Sequence, residues 1–436
     1  MKKIIFLIIF LSTLKLNAQI ELSIEQCREM ALQNSYDLQI ASLQHDKTVM
    51  DQKVVQTSFL PKVVASGTYA YVFEDIDMSM DFSLTDFGLP VSVPIPMEMS
   101  MRGMYMAGIN LQQPVFVGGK IITGNRMAKK GVEMTEENKR LTKMNVILDA
   151  ENAYWIYVSV REKVKLLESY GTMLDSLYRR VNDLTELQMA TLSDVQKIRA
   201  KQSNIKYELQ RARNGLELSR MSLCHIIGID MNTPVIATDT TIKLSQKGSY
   251  NSPDILQRPE YLILQKQVEL NELSVKNTRA DFLPTIGFSA GYSYVAGMEF
   301  GGSELKMNLP MIMANISIPI FHFGEGSKKI KSAKFTYDIS KLELEKNSEL
   351  MNIEIKKVLS EYQSSFLLIE SAQEAITEAE AAVKIASDNY ELKMGTIFDI
   401  LEAQAQFQEA RSNLIEARTN CKIKEVEYLK VIGQLE

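Results

Sequence analysis

What this chain of 436 residues has little of narrows the field before any motif is read. It holds three cysteines, Cys27, Cys224 and Cys421, an odd and widely spaced set. A disulfide framework uses many more, so all three read as small buried apolar residues. The three histidines, His45, His225 and His322, stand apart, with no carboxylate or cysteine at ligand spacing; that argues against a metal or catalytic centre. Neither a glycine-rich phosphate loop nor a nucleophile elbow occurs. Gly118-Gly119 and Gly324-Glu325-Gly326 sit where strand hands over to helix, and flexible chain there is explanation enough. No enzyme and no cofactor are expected, and energy must come from a partner. The balance of 49 basic against 54 acidic residues gives a net charge of −5, too mild and too evenly mixed for a nucleic-acid ligand. Beyond the N-terminus no run of 18 apolar residues occurs, so β-strands are the only route by which this chain enters a bilayer. Prolines number only eleven, which leaves tracts long enough for uninterrupted helix.

The N-terminus carries Lys2 and Lys3, an apolar run from Ile4 to Leu11, and Ala18 before Gln19. That pattern is a cleavable secretory signal over residues 1–18, its apolar core far short of the roughly 20 residues that span a bilayer. With Gln19 expected as the first mature residue and no cysteine there, the chain is expected to be exported without a lipid anchor.

The rest of the chain reads twice. Phe59-Leu60-Pro61 opens a stretch ending Tyr69-Ala70-Tyr71, and Phe282-Leu283-Pro284 opens one ending Tyr292-Ser293-Tyr294. Asn110-Leu111-Gln112-Gln113-Pro114-Val115-Phe116 matches Asn315-Ile316-Ser317-Ile318-Pro319-Ile320-Phe321, and Leu187-Gln188-Met189-Ala190-Thr191 matches Leu392-Lys393-Met394-Gly395-Thr396, both at an offset of 205. The first landmark is offset by 223, so 18 extra residues lie between Tyr71 and Asn110. This is a duplication. The first repeat spans 19–229, with strands at about 60–73 and 104–117 and a helical hairpin at about 121–228. A linker follows over 230–258, rich in Thr, Ser and Pro, and the second repeat spans 259–436, with strands at about 283–296 and 309–322 and a hairpin at about 325–432.

The strands alternate with period two. Ile286, Phe288, Ala290, Tyr292 and Tyr294 share one face, against Thr285, Gly287, Ser289, Gly291 and Ser293. Ile312, Ala314, Ile316, Ile318 and Ile320 oppose Asn315 and Ser317, while Tyr105, Ala107, Ile109 and Leu111 oppose Gly108, Asn110 and Gln112. A sheet packed on a soluble core alternates in the same way. Runs of about 10 to 14 residues, with tyrosines at their ends, suit membrane-spanning strands and an interfacial girdle. Four strands cannot close a barrel, so strands must pair between chains; two chains supply eight and three supply twelve. The helices carry heptads, such as Ile369, Ala372, Ile376, Ala379, Val383, Ala386 and Tyr390. A helix of about 65 residues without proline approaches 100 Å.

These landmarks, together with the strand exits Pro114-Val115-Phe116-Val117-Gly118-Gly119 and Pro319-Ile320-Phe321-His322-Phe323-Gly324 and the run Gly395-Thr396-Ile397-Phe398-Asp399-Ile400-Leu401, resemble the TolC-like outer membrane efflux proteins. The resemblance runs from about Leu22 to Leu435. It implies an α+β membrane protein, a homotrimer in which four β-strands per chain contribute to a trimeric 12-stranded outer-membrane barrel, continued by a long α-helical coiled-coil tunnel in the periplasm. It implies a passive exit duct of a tripartite efflux or type I secretion system, set in outer-membrane lipid and fed by an inner-membrane RND or ABC exporter through a periplasmic adaptor (membrane fusion) protein. By the same resemblance the turns at Leu187 to Asp194 and Leu392 to Asp399 are periplasmic tips, with Ala190, Thr191, Gly395 and Thr396 contacting the adaptor. Asp399 and Glu402, with Asp194 as the first copy's counterpart, would line the entrance as a carboxylate ring favouring cations. Thr396 with Asp399, and Thr191 with Asp194, also fit a helix-capping pattern, so capping and gating both stand for Asp399. Gly395 suits a left-handed turn that Ala190 suits poorly, so the two tips are expected to differ in shape.

Met78, Met80, Met97, Met99 and Met101, followed by Met104 and Met106, crowd the extra segment. Thioethers bind soft ions such as Cu(I) or Ag(I), but they also fill apolar loops, and a long outer loop folding over the barrel mouth is the preferred account of them, so no metal site is expected. An autonomous porin or a periplasmic coiled-coil scaffold shares parts of this pattern; the first lacks so much helix and the second lacks long paired strands.

Overall fold

The computed structural model describes residues 20–74, 76–83, 92–101, 103–239, 255–300 and 303–435. The expected signal segment, residues 1–18, lies outside them. Two compact units are present, one comprising residues 1–45, 135–264 and 343–436 and the other residues 46–134 and 265–342. Each draws on both halves of the sequence.

The elements follow in order. β1 (Ile20–Leu22), α1 (Ile24–Asn34) and α2 (Tyr36–Gln56) precede β2 (Lys62–Ala70), β3 (Ile76–Ser83), β4 (Ser92–Ser100) and β5 (Met104–Val117). Then come α3 (Lys120–Glu186), α4 (Leu192–Ile226), β6 (Val235–Ala237), α5 (Pro259–Ala280), β7 (Thr285–Phe300), β8 (Ser303–Ser317), α6 (Glu325–Glu391) and α7 (Ile397–Val431). Both hairpins have the same lengths: α3 and α6 run 67 residues each, α4 and α7 run 35 each.

In the strand-bearing unit the ladder runs antiparallel from β2 to β5 to β7 to β8. β4 takes over the edge of β7 where β5 leaves it, pairing Met99 with Phe300 and Ser100 with Glu299, and β3 flanks β4. Six strands therefore fill four positions, two of them broken by a jog. Glycine is obligatory at that jog. Gly103 and Gly297 both have positive φ, and a Cβ on Gly297 would fall 2.2 Å from the Gly103 carbonyl oxygen.

The extra segment is thus no simple loop, as the sequence suggested, but a hairpin of β3 and β4. Pro94 and Pro96 fall within β4, where a proline cannot donate to the ladder. They are accommodated because β4 meets β7 only at Met99 and Ser100, so over most of its length one edge alone must be satisfied. The side chains of Met78, Met80 and Met97, and residues 84–91, lie outside the described set. β8 also departs from the expected 309–322: it starts at Ser303 as a hairpin with β7 and ends at Ser317. Pro319 cannot donate to a ladder, and Phe323 (φ 47) and Gly324 (φ 76) then turn the chain into α6.

The registers put Val63, Ile109, Leu111, Ala290, Tyr292, Pro310 and Ile312 on one face. Ser66, Thr68, Gly108, Asn110, Ser289 and Ser293 share the other, but on β8 that second face carries Met307, Leu309, Met311 and Met313. The small and polar character expected of it stops at β8. Within this unit α3 and α5 are tied by a closed ring of charges: Lys130 meets Glu133 (2.8 Å) and Glu269 (2.7 Å), and Lys266 meets Glu133 (3.1 Å) and Glu269 (3.7 Å). Burial pushes the Glu133 carboxyl up, but the two ammonium groups outweigh it and hold it below its usual range.

The helical unit has its main core where β1 pairs in parallel with β6, Ile20 to Val235 through Leu22 to Ala237. Leu22, Cys27, Ala31, Tyr154, Val158, Leu223, Cys224 and Ile227 close around it. The phenol of Tyr154 donates to the Leu22 carbonyl (3.1 Å), that of Tyr157 to the Val235 carbonyl (2.6 Å), and Arg161 donates to the Ala237 carbonyl (2.5 Å). These bonds satisfy a ladder too short to satisfy itself. Arg28 pairs with the buried Glu151 at 2.5 Å. Burial raises that carboxyl's pKa, against the opposing pull of Arg28. All three cysteines are buried and free.

Candidate functional site

The two interhelical turns lie together in the helical unit. Val181, Val195, Ile198, Ile397 and Ile400 bury a shared cluster against which Ala190, Ala386 and Tyr390 pack. Both turns close by the same backbone bonds. Met189 N–H donates to Leu184 O (2.8 Å) and Ala190 N–H to the same oxygen (3.2 Å); Met394 N–H and Gly395 N–H donate to Asn389 O at 2.8 and 3.1 Å. This corrects the expectation that the tips differ. The left-handed residues are Gln188 (φ 61) and Lys393 (φ 58), not Ala190 and Gly395. The helix-end hydrogen bonds decide which residue turns left-handed, and they fall two positions earlier than the glycine. What separates the copies is the space beside that later position: the Ala190 methyl packs on the cluster, whereas a Cβ on Gly395 would come within 3.2 Å of the Asn389 Cβ.

Each following helix opens with a reciprocal cap. Asp194 N–H donates to the Thr191 hydroxyl oxygen (3.2 Å), while the Thr191 hydroxyl and N–H donate to Asp194 Oδ2 at 2.8 and 3.3 Å. In the second copy Thr396 N–H and hydroxyl donate to Asp399 Oδ2 at 2.6 and 2.9 Å, and Asp399 N–H returns to the Thr396 hydroxyl at 3.4 Å. These bonds hold the Asp399 carboxyl below its ordinary range. The capping role expected for both aspartates is therefore present, and in each only Oδ2 is engaged in it. Glu402 is exposed, one turn further along α7 and outside the cap.

A cavity of about 490 Å³ opens between the turns, lined by Arg180, Met189, Ala190, Thr191, Asp194, Tyr390 and Gly395 among others. Arg180 pairs with Glu391 at 3.1 Å. Burial, with the Asp194 charge second, raises the Tyr390 phenol. So Ala190, Thr191, Asp194 and Gly395 share one cavity, whereas Thr396, Asp399 and Glu402 do not line it. Sequence reasoning overlooked an apolar crown: Leu187, Met189 and Leu192 on one turn, Leu392, Met394 and Phe398 on the other, all exposed. Its signal was the repeated Leu-x-Met at 187–189 and 392–394, which served as a landmark of duplication and not as a surface. Exposed apolar groups gathered on paired turns fit a protein contact.

Residues 255–434 match the model of a family described as outer membrane efflux protein. Among curated relatives, the outer membrane efflux protein BepC of Brucella suis is 22% identical over 333 residues, covering 75% of this chain and 72% of that protein. The outer membrane protein TolC of Vibrio cholerae is 18% identical over 344 residues, covering 76% of each. The crystal structure of CusC, described as forming a transmembrane channel, superposes with a TM-score of 0.78 at 15% identity, covering 97% of this chain and 95% of that one. At that identity the likeness establishes the fold.

Proposed function

We propose that this chain is a TolC-like outer membrane efflux protein, the outer-membrane channel-tunnel of an efflux or type I secretion system. It is a passive duct through which substrates delivered by an inner-membrane RND or ABC exporter, by way of a periplasmic adaptor, leave the cell. The observation that carries this reading is the sheet. Among the described residues β2 and β8 end it on unpaired edges, and the residues of these two strands are exposed almost throughout, so no core covers either face of them. Such a sheet is not stable alone in water or in lipid. Lipid covers the Ile109, Leu111, Tyr292 and Ile312 face, and second and third copies satisfy the edges. Three chains of four strand positions close a twelve-position barrel, β8 of one beside β2 of the next.

Further support comes from helix faces with no partner within the chain. Met50, Val54, Phe335 and Ile339 are exposed in the strand-bearing unit, and Tyr36, Ile40, Leu43, Leu350 and Ile353 in the helical one. They repeat at helical spacing, as faces covered by neighbouring copies do. The duplication explains the equal hairpins, each repeat supplying two strand positions and one tip. The crown of Leu187, Met189, Leu392 and Met394 meets the adaptor beside Ala190, Thr191, Gly395 and Thr396. At the entrance Asp194 and Asp399 keep their caps, and Glu402, free of that duty, presents the charge that favours cations.

Cross-linking intact cells and extracting the protein from the outer membrane in detergent tests the assignment. Capture of an adaptor together with an inner-membrane exporter is the expected result. A protein that always emerges as a lone oligomer, and passes solutes without a pump, would be an autonomous porin and would overturn it.

A further inference from the structure

In the strand-bearing unit, charge is sorted between the two ends of the sheet. Val117, Thr285 and Ser317 stand in one row across β5, β7 and β8, and α3 and α6 leave that row two strand spacings apart, about 10 Å. The first ten residues of α3 carry Lys120, Arg126 and Lys129 and no acid, and those of α6 carry Lys328, Lys329, Lys331 and Lys334 against Glu325 alone. Seven bases against one acid leave a local positive excess in a chain whose net charge is −5. These cations do nothing for the helices, whose opening turns favour acids. Lys120 is bound by Asp281 (2.5 Å) and Lys329 by Glu325 (2.6 Å). Arg126, Lys129, Lys328, Lys331 and Lys334 are exposed and enter none of the ion pairs among the described residues. The far end of the sheet has the reverse sign: Glu74, Glu299 and Glu304 are exposed there, with Lys306 on Glu304 at 3.0 Å.

A second observation, independent of charge, lies at the basic end. Phe116, Ile286 and Ile316 form the last row on the apolar face of the sheet. Past β8 the chain bares Ile318, Ile320, Phe321 and Phe323, with Ile320 92% and Phe323 86% exposed. The rings of Phe321 and Phe323 meet edge to face, their centres 4.7 Å apart. Aromatic groups bared where a lipid-facing strand ends mark a bilayer interface. Lys334 is ten residues into α6, so the basic band reaches about 15 Å beyond the sheet. That is the depth of a headgroup layer of roughly 5–7 Å together with one Debye length of about 8 Å. The complement of such a band is a bilayer surface that carries negative charge.

We infer that the sheet-proximal turns of α3 and α6, with the bared aromatic exit of β8, form a docking band for anionic phospholipid. Acyl chains cover Phe116, Ile286 and Ile316, and phosphodiester headgroups with a net negative charge meet Arg126, Lys129, Lys328, Lys331 and Lys334. A zwitterionic headgroup offers the same phosphate but cancels its charge, so the band selects between the two. The inference rests on the reading that lipid covers the apolar face of the sheet, and it depends on no pump partner.

The test adds equal amounts of dioleoylphosphatidylglycerol and dioleoylphosphatidylcholine to the full chain in non-ionic detergent. The lipid that stays with the protein through gel filtration is counted by mass spectrometry. Phosphatidylglycerol is expected to exceed phosphatidylcholine by about fivefold or more, the effect of even one basic residue at a charged surface. In a variant carrying Arg126→Gln, Lys129→Gln, Lys328→Gln, Lys331→Gln and Lys334→Gln the ratio is expected to fall to within about twofold of parity, with total lipid and helical content unchanged. The wild type should lose its preference likewise in about 1 M salt, where the Debye length is about 3 Å. A ratio near one in the wild type, as when another copy covers the band, or a preference that survives the five substitutions, overturns the inference and leaves the lipid-covered sheet standing. Retention of neither lipid overturns both. Should the variant misfold, the wild type decides, because a preference unmoved by salt overturns the band.

Discussion

Lys393 sits at φ 58 in the second turn, a backbone region that costs residues with a Cβ about 1 kcal/mol or more. Replacing it by glycine is therefore expected to stabilise the tip by about 1 kcal/mol, read as slower amide exchange of Met394 and Gly395. A glycine at 393 that loosens these amides would contradict the turn geometry. The cap that follows works through Asp399. A carboxyl whose folded pKa lies below its free value of 3.8 stabilises the fold above that pH and loses the contribution as pH falls through the folded value. Thr396→Ala is expected to cost about 1 kcal/mol near neutrality, and the difference between variant and wild type should shrink below about pH 3.8, measured by urea unfolding of the tip. Both caps were legible in the sequence because Thr and Asp three residues apart are a local signal. The left-handed positions were not, since they follow from where the helix-end hydrogen bonds fall and no glycine marks them.

Strand pairing follows the same division between local and distant causes. The β7 residues from Thr285 to Tyr294 alternate cleanly, so the strand itself was readable from period two, whereas its partners β5 and β8 were not. The jog between β4 and β5 was hidden because it depends on Gly103 and Gly297, 194 residues apart, meeting across the ladder. Gly297→Ala combines a positive φ with a Cβ 2.2 Å from a carbonyl oxygen. It is expected to cost about 3 kcal/mol or more and to lower the thermal resistance of the folded oligomer in detergent; an unchanged melting temperature would mean that the jog is not formed. The methionines of β8 are a similar lesson. Their alternation with Ile312 and Ile316 was visible, but only the register with Gly291 and Ser289 reveals that Met311 and Met313 occupy the face otherwise lined by small and polar groups.

At the scale of the whole molecule, one chain leaves its sheet unfinished. Four strand positions end on free edges at β2 and β8, and both edge strands are exposed on either face. The same incompleteness recurs along α2 and α6, whose apolar residues at helical spacing face no partner within the chain. The expectation of other copies came from four strands and the rule against open edges in lipid; their number was not legible, because alternation is blind to how many chains close the ring. The most direct test is the native mass of the protein extracted from outer membranes in mild detergent. Three chains per particle is the result the account predicts; a particle of one chain, or of two, would leave no twelve-position barrel and would contradict it.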